Sequence, residues 1–198
     1  MISFYKEHQD DLRDFAIDHY IDDFRSIYNE HGRDVLIASL HENVSEMLQR
    51  AGLWEKASCN KSCSFCCHDT IYMTQLESEY IANRIKEEGI LPHFDRMIKQ
   101  QEGNPTFMEK ACPMLSDVNE EGNRPCSIYE FRPLVCRTHN SIEDPKFCDR
   151  DKYPGRFNQE GRAIATEAIY IALVMLEQEL SDKFDDVNMV PMHNLNFD

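Results

Sequence analysis

The sequence predicts a mostly α fold: a helical domain wrapped around a loop-rich cysteine core, with little or no β structure. Three observations predict it. Apolar residues recur at helical spacing through the first 50 positions. Residues 168–176 are apolar on every side of a helix. Between these ends lies a stretch rich in cysteine and proline with no periodicity at all. The chain has 198 residues, the length of one domain.

The first helix is expected over 4–28. Leu12, Phe15, Ala16, Tyr20, Phe24, Ile27 and Tyr28 form its apolar stripe, acidic residues occupy the opposite face, and Gly32 stops it. A second helix is expected over 34–50, with Val35, Leu36, Leu40, Val44, Met47 and Leu48 inward and Gly52 at its end. These form an N-terminal hairpin over 1–52. A short strand is expected at 70–73. Thr74-Gln75-Leu76-Glu77 is then a capping box, opening a helix to residue 88 with Gly89 after it. A shorter helix is expected over 92–101. Residues 103–154 hold six prolines and four cysteines and read as loops and turns. So long a loop needs something to order it. The last helix spans about 159–184 and should be central and buried. The tail from residue 187 reads as either frayed or docked.

Composition excludes several classes of function. Lys and Arg number 21 against 36 Asp and Glu, a net charge of −15. Phosphate backbones and anionic lipid surfaces repel such a chain, so neither nucleic acid nor membrane is an expected partner. The longest apolar run, nine residues, is too short to span a bilayer. The polar, acidic start has no signal-peptide pattern, which predicts a cytosolic protein. In that setting eight cysteines point to metal or chemistry rather than to disulfides.

The cysteines are Cys59, Cys63, Cys66, Cys67, Cys112, Cys126, Cys136 and Cys148. All eight are candidate metal ligands, in a core spanning 59–148. The first four fall within nine residues, in Cys59-Asn60-Lys61-Ser62-Cys63-Ser64-Phe65-Cys66-Cys67. Thiols two or three residues apart can converge on one cation from a turn. Adjacent thiols diverge, so Cys66 and Cys67 can serve two metals, or one can ligate while the other packs. Eight thiols suffice for two four-thiolate sites, or for one iron–sulfur cluster with spare cysteines. His68 and His139 follow cysteines closely, and each either replaces a thiol as ligand or lies on the surface. The other histidines show no ligand spacing. Arg132 and Arg137 are placed to offset thiolate charge. The alternative for Arg132 is an ion pair with Glu77 or Glu130.

Cys59-x3-Cys63-x2-Cys66 is also the cluster spacing of radical-SAM enzymes. No strand precedes it, however, and none of the seven glycines is adjacent to another, so that chemistry is not expected.

Later in the chain come Cys112-Pro113-Met114-Leu115 and Cys126-Ser127-Ile128-Tyr129-Glu130-Phe131-Arg132-Pro133-Leu134-Val135-Cys136-Arg137. Together with Cys66-Cys67 and the Thr74 to Glu77 helix start, these segments resemble the YkgJ-like cysteine-cluster family. The resemblance covers about residues 59–148. The first cysteine gap here has three residues where the family has two. The resemblance implies a zinc- or iron-chelating domain, so the expected cofactor is zinc or an iron–sulfur cluster. Three functions are expected to compete: a metal-binding protein, an iron-dependent redox or modification enzyme using the same cluster, and an acidic interaction module with a structural metal site. The sequence names no protein partner.

Overall fold

The computed structural model describes residues 11, 13–57, 63–68, 70–96, 111–120, 122–141, 143–148, 152–153, 164–181 and 189–195. Helix α1 runs over 13–31. Its middle, Ile17–Ile21, is a π-helical turn, and Asp22–His31 continues as α-helix. The wider turn keeps Ala16, Ile21 and Phe24 together on the buried side. Gly32 ends α1 with φ 84° and ψ 178°, a region only glycine enters readily, and its N–H returns to Tyr28 O at 2.9 Å. The expected helix is therefore present from residue 13 and runs three residues past 28. Its start at 4–10 lies outside the described residues.

Helix α2, Arg33–Arg50, buries Leu36, Ile37, Leu40, His41, Val44 and Leu48. Val35, expected inward, is 49% exposed. The buried row advances by threes and fours from Ile37, and Val35 sits outside it. Gly52, at φ 64°, turns the chain into the single-turn helix α3, Leu53–Lys56.

The expected short strand is β1, Tyr72–Met73, which pairs antiparallel with β2, Val190–Pro191 (Tyr72 opposite Pro191, Met73 opposite Val190). The tail is thus docked: Met192 N donates to Ile71 O at 2.8 Å, and Met192 and Leu195 are buried.

Helix α4, Gln75–Glu87, follows directly, and Gly89 comes after it at φ 63°. Only half of the capping box forms. Thr74 Oγ1 accepts the Glu77 N–H at 3.2 Å, but the Glu77 side chain does not reach back. It is drawn inward to His41 and Leu134. The other two free N–H groups of the first turn are capped from a distance. Gln75 N and Leu76 N donate to the two carboxylate oxygens of Glu177, at 2.9 and 3.0 Å. An anion at a helix N-terminus also meets the positive end of its dipole.

The helix expected over 92–101 is seen only in its first turn, 94–96; residues beyond lie outside the described set. Short turns follow, then helix α5, Leu134–Thr138.

Helix α6, Ile164–Ser181, packs against α1 at its π-turn and against α2 and α5. Arg25 of α1 holds Glu179 through Nε and Nη2 at 3.0–3.1 Å. Ala168, Ile169, Ala172, Leu173 and Leu176 are buried, while Tyr170, Ile171, Val174 and Met175 are half-buried. The expectation of burial on all sides therefore fails on one flank. The central place goes to α2, which contacts α1, α3, α4, α5 and α6. The fold is mostly α. Among the described residues no helix is long and apolar enough to cross a membrane.

The remote cap predicts a measurable coupling between α4 and α6. Thr74→Ala should cost about 1 kcal/mol of stability. Glu177→Ala, which removes two charge-assisted bonds, should cost about 1.5–3 kcal/mol. Urea unfolding followed by circular dichroism measures both, and a neutral Glu177→Ala would contradict the cap.

Candidate metal centre

Three short, hydrogen-bonded turns carry the cysteines to one place. The first is the 3₁₀ turn Phe65–His68, which bears Cys66 and Cys67 and is closed by Cys67 N on Ser64 O at 3.0 Å. Its Cys67 carbonyl accepts the Cys112 N–H at 2.6 Å, joining it to the second turn. There a narrow antiparallel bridge pairs Leu115 with Cys126, supported by Ser116 N on Pro125 O and Ser127 N on Met114 O. Arg96 ties this segment to the end of the α4 connection through the carbonyls of Cys112 and Leu115. The third unit is the 3₁₀ turn Tyr129–Phe131 and helix α5, with Pro133 at its N-cap and Cys136 one turn in. Proline suits this place because an N-terminal helical N–H has no partner to lose.

Cys63, Cys66, Cys67, Cys112, Cys126 and Cys136 all line one cavity of about 860 Å³. None of the seven described cysteines is in a disulfide. Cys59 lies outside the described residues. Cys148 belongs to the 3₁₀ turn Pro145–Cys148, which packs on the Phe65–His68 turn, and it is not among the lining residues. Among the described residues, no three His, Cys, Asp or Glu side chains converge in metal-ligating geometry. The two histidines separate. His139 is half-buried and lines the cavity. His68 is buried, so the surface reading fails for it, yet it is not a lining residue.

The thiols lie within each other's fields. A hydrogen bond with Cys66, then burial, raises the Cys67 thiol far above its ordinary range. Burial pushes Cys112 up to about 12, with Cys126 and Cys66 adding to the shift. Burial also raises Cys136 well above normal, and Cys66, Cys112 and Cys126 raise it further. Ionising one buried thiol makes the next harder to ionise, and a bound cation reverses that order.

Three arginines border the same cavity: Arg84, which is held by Glu88 and the Tyr80 hydroxyl, Arg132 and Arg137. Arg137 is buried, and its guanidinium donates to Arg132 O at 3.0 Å, Ser45 Oγ at 3.1 Å and the Glu130 carbonyl. No carboxylate is among these partners. Burial, and then the Arg132 charge, lowers it to about 10. Arg132 donates to Tyr129 O at 2.7 Å and lies 3.7 Å from the centroid of the Tyr129 ring. The expected alternative for Arg132, an ion pair with Glu77 or Glu130, does not appear among its hydrogen bonds. Glu77 is occupied with His41 and Leu134. Soft thiol donors in number, with two arginines to offset thiolate charge, fit zinc or an iron–sulfur cluster.

Sequence spacing passed over one residue at this site. His41 lines the cavity and is buried, with Nε2 3.0 Å from Glu77 Oε1. The available signal was its position: it falls in the apolar row of α2 with Ile37, Leu40, Val44 and Leu48, where a histidine needs a partner.

The geometry defines a class, a helical protein with a thiol-walled cavity. Residues 58–154 match the family model CxxCxxCC, described as a "putative zinc- or iron-chelating domain", and that segment carries this cysteine-cluster domain. Comparison with curated proteins and with solved structures found no match.

The raised thiols predict an alkaline weakness of the metal-free protein. In the unfolded chain thiols ionise from about pH 8.5. In the folded chain Cys67, Cys112 and Cys136 stay protonated well above that. The folded state then holds more protons, so stability is full below about pH 8.5 and falls as pH rises toward the folded values. Urea midpoints of reduced, chelator-stripped protein should drop between about pH 8 and pH 10. A flat profile would contradict the burial of these thiols.

Proposed function

We propose that the protein is a cytosolic metal-binding protein whose cavity thiolates hold an iron–sulfur cluster. One observation carries this choice of metal centre: six soft thiol donors border one cavity, more than the four ligands that a single zinc ion takes. A single zinc ion needs four ligands drawn to about 2.3 Å from one centre. A cluster places its iron atoms apart and takes thiolates from around a space. Cys63, Cys66, Cys67, Cys112, Cys126 and Cys136 are the proposed donors, with Cys148 supporting the Cys66–Cys67 turn from outside. Four-thiolate zinc is the second reading, supported by the same soft donor set and by the family description.

Bound metal supplies redox or structural charge chemistry; the chain's own residues supply its surroundings. Arg137 and Arg132 set the positive field beside the thiolates. Pro133 and the Tyr129–Phe131 turn fix where Cys136 enters.

Anaerobically purified protein should be brown and carry iron with acid-labile sulfide. Colourless protein with stoichiometric zinc would replace the cluster by the second reading, and protein with neither would remove both. Cys66→Ser and Cys136→Ser should lose the metal, while Cys148→Ser should keep it, as measured by elemental analysis. Chelation should speed proteolysis within 103–154 and leave helical circular dichroism largely intact, because that segment carries the proposed ligands Cys112, Cys126 and Cys136.

Arg137→Met should weaken metal retention about tenfold or more against a competing chelator, the scale typical of lost outer partners. Arg137→Lys should recover part of it. Equal retention in all three proteins would show that the cation does not balance the centre.

A further inference from the structure

We propose that an extended basic peptide segment of a partner protein docks in the groove between α2 and α4, with one cationic side chain against Glu42. The groove has a volume of about 510 Å³. The inference goes beyond the metal reading, because among the described residues no cysteine borders this groove. Ala38, Glu42, Tyr80 and Arg84 border both the groove and the thiol cavity, so the two spaces meet at these residues.

The two helices give the groove its shape. Val35, Ala38 and Glu42 of α2 follow at spacings of three and four, which places them in one row. Tyr80, Asn83 and Arg84 of α4 stand across from them. Val35, exposed and outside the buried row of α2, borders the groove at the end away from the thiol cavity. From Val35 to Glu42 a helix rises about 10 Å, which an extended chain covers in about three residues. In an extended chain the first and third side chains point the same way. One of them meets Val35 and Ala38 while the other reaches Glu42.

Charge selects the occupant. Three carboxylates border the groove, Asp34, Glu42 and Glu87, against one arginine, Arg84. Arg84 is held by Glu88 and the Tyr80 hydroxyl, with Glu87 3.9 Å away. Asp34 is held by Arg33 at 2.7 Å. Glu42 is exposed and, among the described residues, makes no ion pair or hydrogen bond. Its carboxylate is left for a cation from outside the chain. A second copy of this chain, at a net charge of −15, is repelled by the same field. The Asn83 side chain also has no hydrogen bond among the described residues, and its amide both donates and accepts, as a peptide backbone requires. Cation, small apolar side chain and backbone together describe a basic peptide rather than a simple amine.

The test uses the acetylated, amidated pentapeptide glycine–valine–alanine–lysine–glycine and its norleucine analogue, which lacks only the charged nitrogen. Both are titrated into isotope-labelled, as-purified protein. Amide NMR shifts give the affinity and the place of binding, and metal content is measured in every sample. The lysine peptide should shift amides of α2 and α4 and bind about fivefold more tightly than the analogue, the upper scale of an exposed ion pair. Glu42→Gln should remove that preference. Asp23→Asn, the same charge change on an exposed residue of α1 that borders neither space, should keep it. Asn83→Leu should weaken both peptides at an unchanged preference. n-Pentylamine, which carries the ammonium without a backbone, should bind more weakly than the lysine peptide. Binding of neither peptide, equal binding of the two, or shifts confined to other parts of the protein would each overturn the proposal. So would a preference that survives Glu42→Gln or is lost in Asp23→Asn, unchanged binding in Asn83→Leu, or amine binding equal to that of the lysine peptide. The same preference in protein that holds no metal would remove the metal reading and leave this one standing.

Discussion

The Glu77 carboxyl group is the contact on which the arrangement turns. It is fully buried, and its Oε1 lies 3.0 Å from His41 Nε2 and accepts the Leu134 N–H at 2.6 Å. One oxygen therefore ties α2 and α4 to the first residue of α5. Two residues on is Cys136, so this bond sets where the last thiol enters the cavity. A carboxyl group without hydrogen bonds would be costly at that depth, so its presence requires the His41 and Leu134 partners to stay in register. This also explains the half-formed capping box. Glu77 gives up the local bond to the Thr74 backbone for a tertiary one, and Glu177 of α6 takes over the capping of the first turn.

A second constraint is charge. The chain is strongly acidic, yet the cavity of the thiols is lined by three arginines, Arg84, Arg132 and Arg137, against two carboxylates, Glu42 and Glu130. Arg137 is held by two carbonyls and a hydroxyl, with no carboxylate partner in its hydrogen bonds. A buried guanidinium is costly when its charge is not countered. Glu77 and Glu130 lie close enough to counter part of that charge, and thiolates of a metal-loaded site would counter more. The same field explains why the thiols of the metal-free chain are neutral: each is buried, and each opposes the ionisation of its neighbours.

The helices and their stops were legible because glycines and apolar rows speak through local physics. Gly32, Gly52 and Gly89 adopt the positive φ that ends or turns a helix. The strand near residue 72 was legible as a short apolar run, but its partner at Val190–Pro191 was not, because pairing across more than a hundred residues leaves no local trace. Spacing marked Cys63 through Cys136 as one cysteine core but left open which of them share a site, and both their place on one cavity and the separation of Cys148 depend on how the turns dock. Val35 and His41 show the limit of periodicity. An apolar residue beside the buried row faces solvent, and a polar one within the row is buried, because tertiary partners decide at the margins of a stripe. The partners of Arg132 were beyond reach for another reason: they are backbone carbonyls, to which side-chain identity gives no clue.

The two sides of the cavity share one apolar core. The α2 and α4 side rests on the apolar core of Leu36, Ile37, Leu40, Val44, Ile81 and Ile85. The loop side adds Met114, Leu115, Ile128, Phe131 and Leu134 to that core, and its turns are joined by backbone hydrogen bonds, among them Cys112 N on Cys67 O. A neutral thiol behaves as a small hydrophobe, so the metal-free loops can pack against the helices without a buried charge. Ionisation removes that property, and only a cation in the cavity makes the ionised set stable. The thiols thus serve the fold in one protonation state and the metal in the other. The helical wall keeps its apolar core through both, and it is joined to the turn that carries Cys136 by Glu77, which bonds His41 and the Leu134 N–H, and by Arg137 on Ser45.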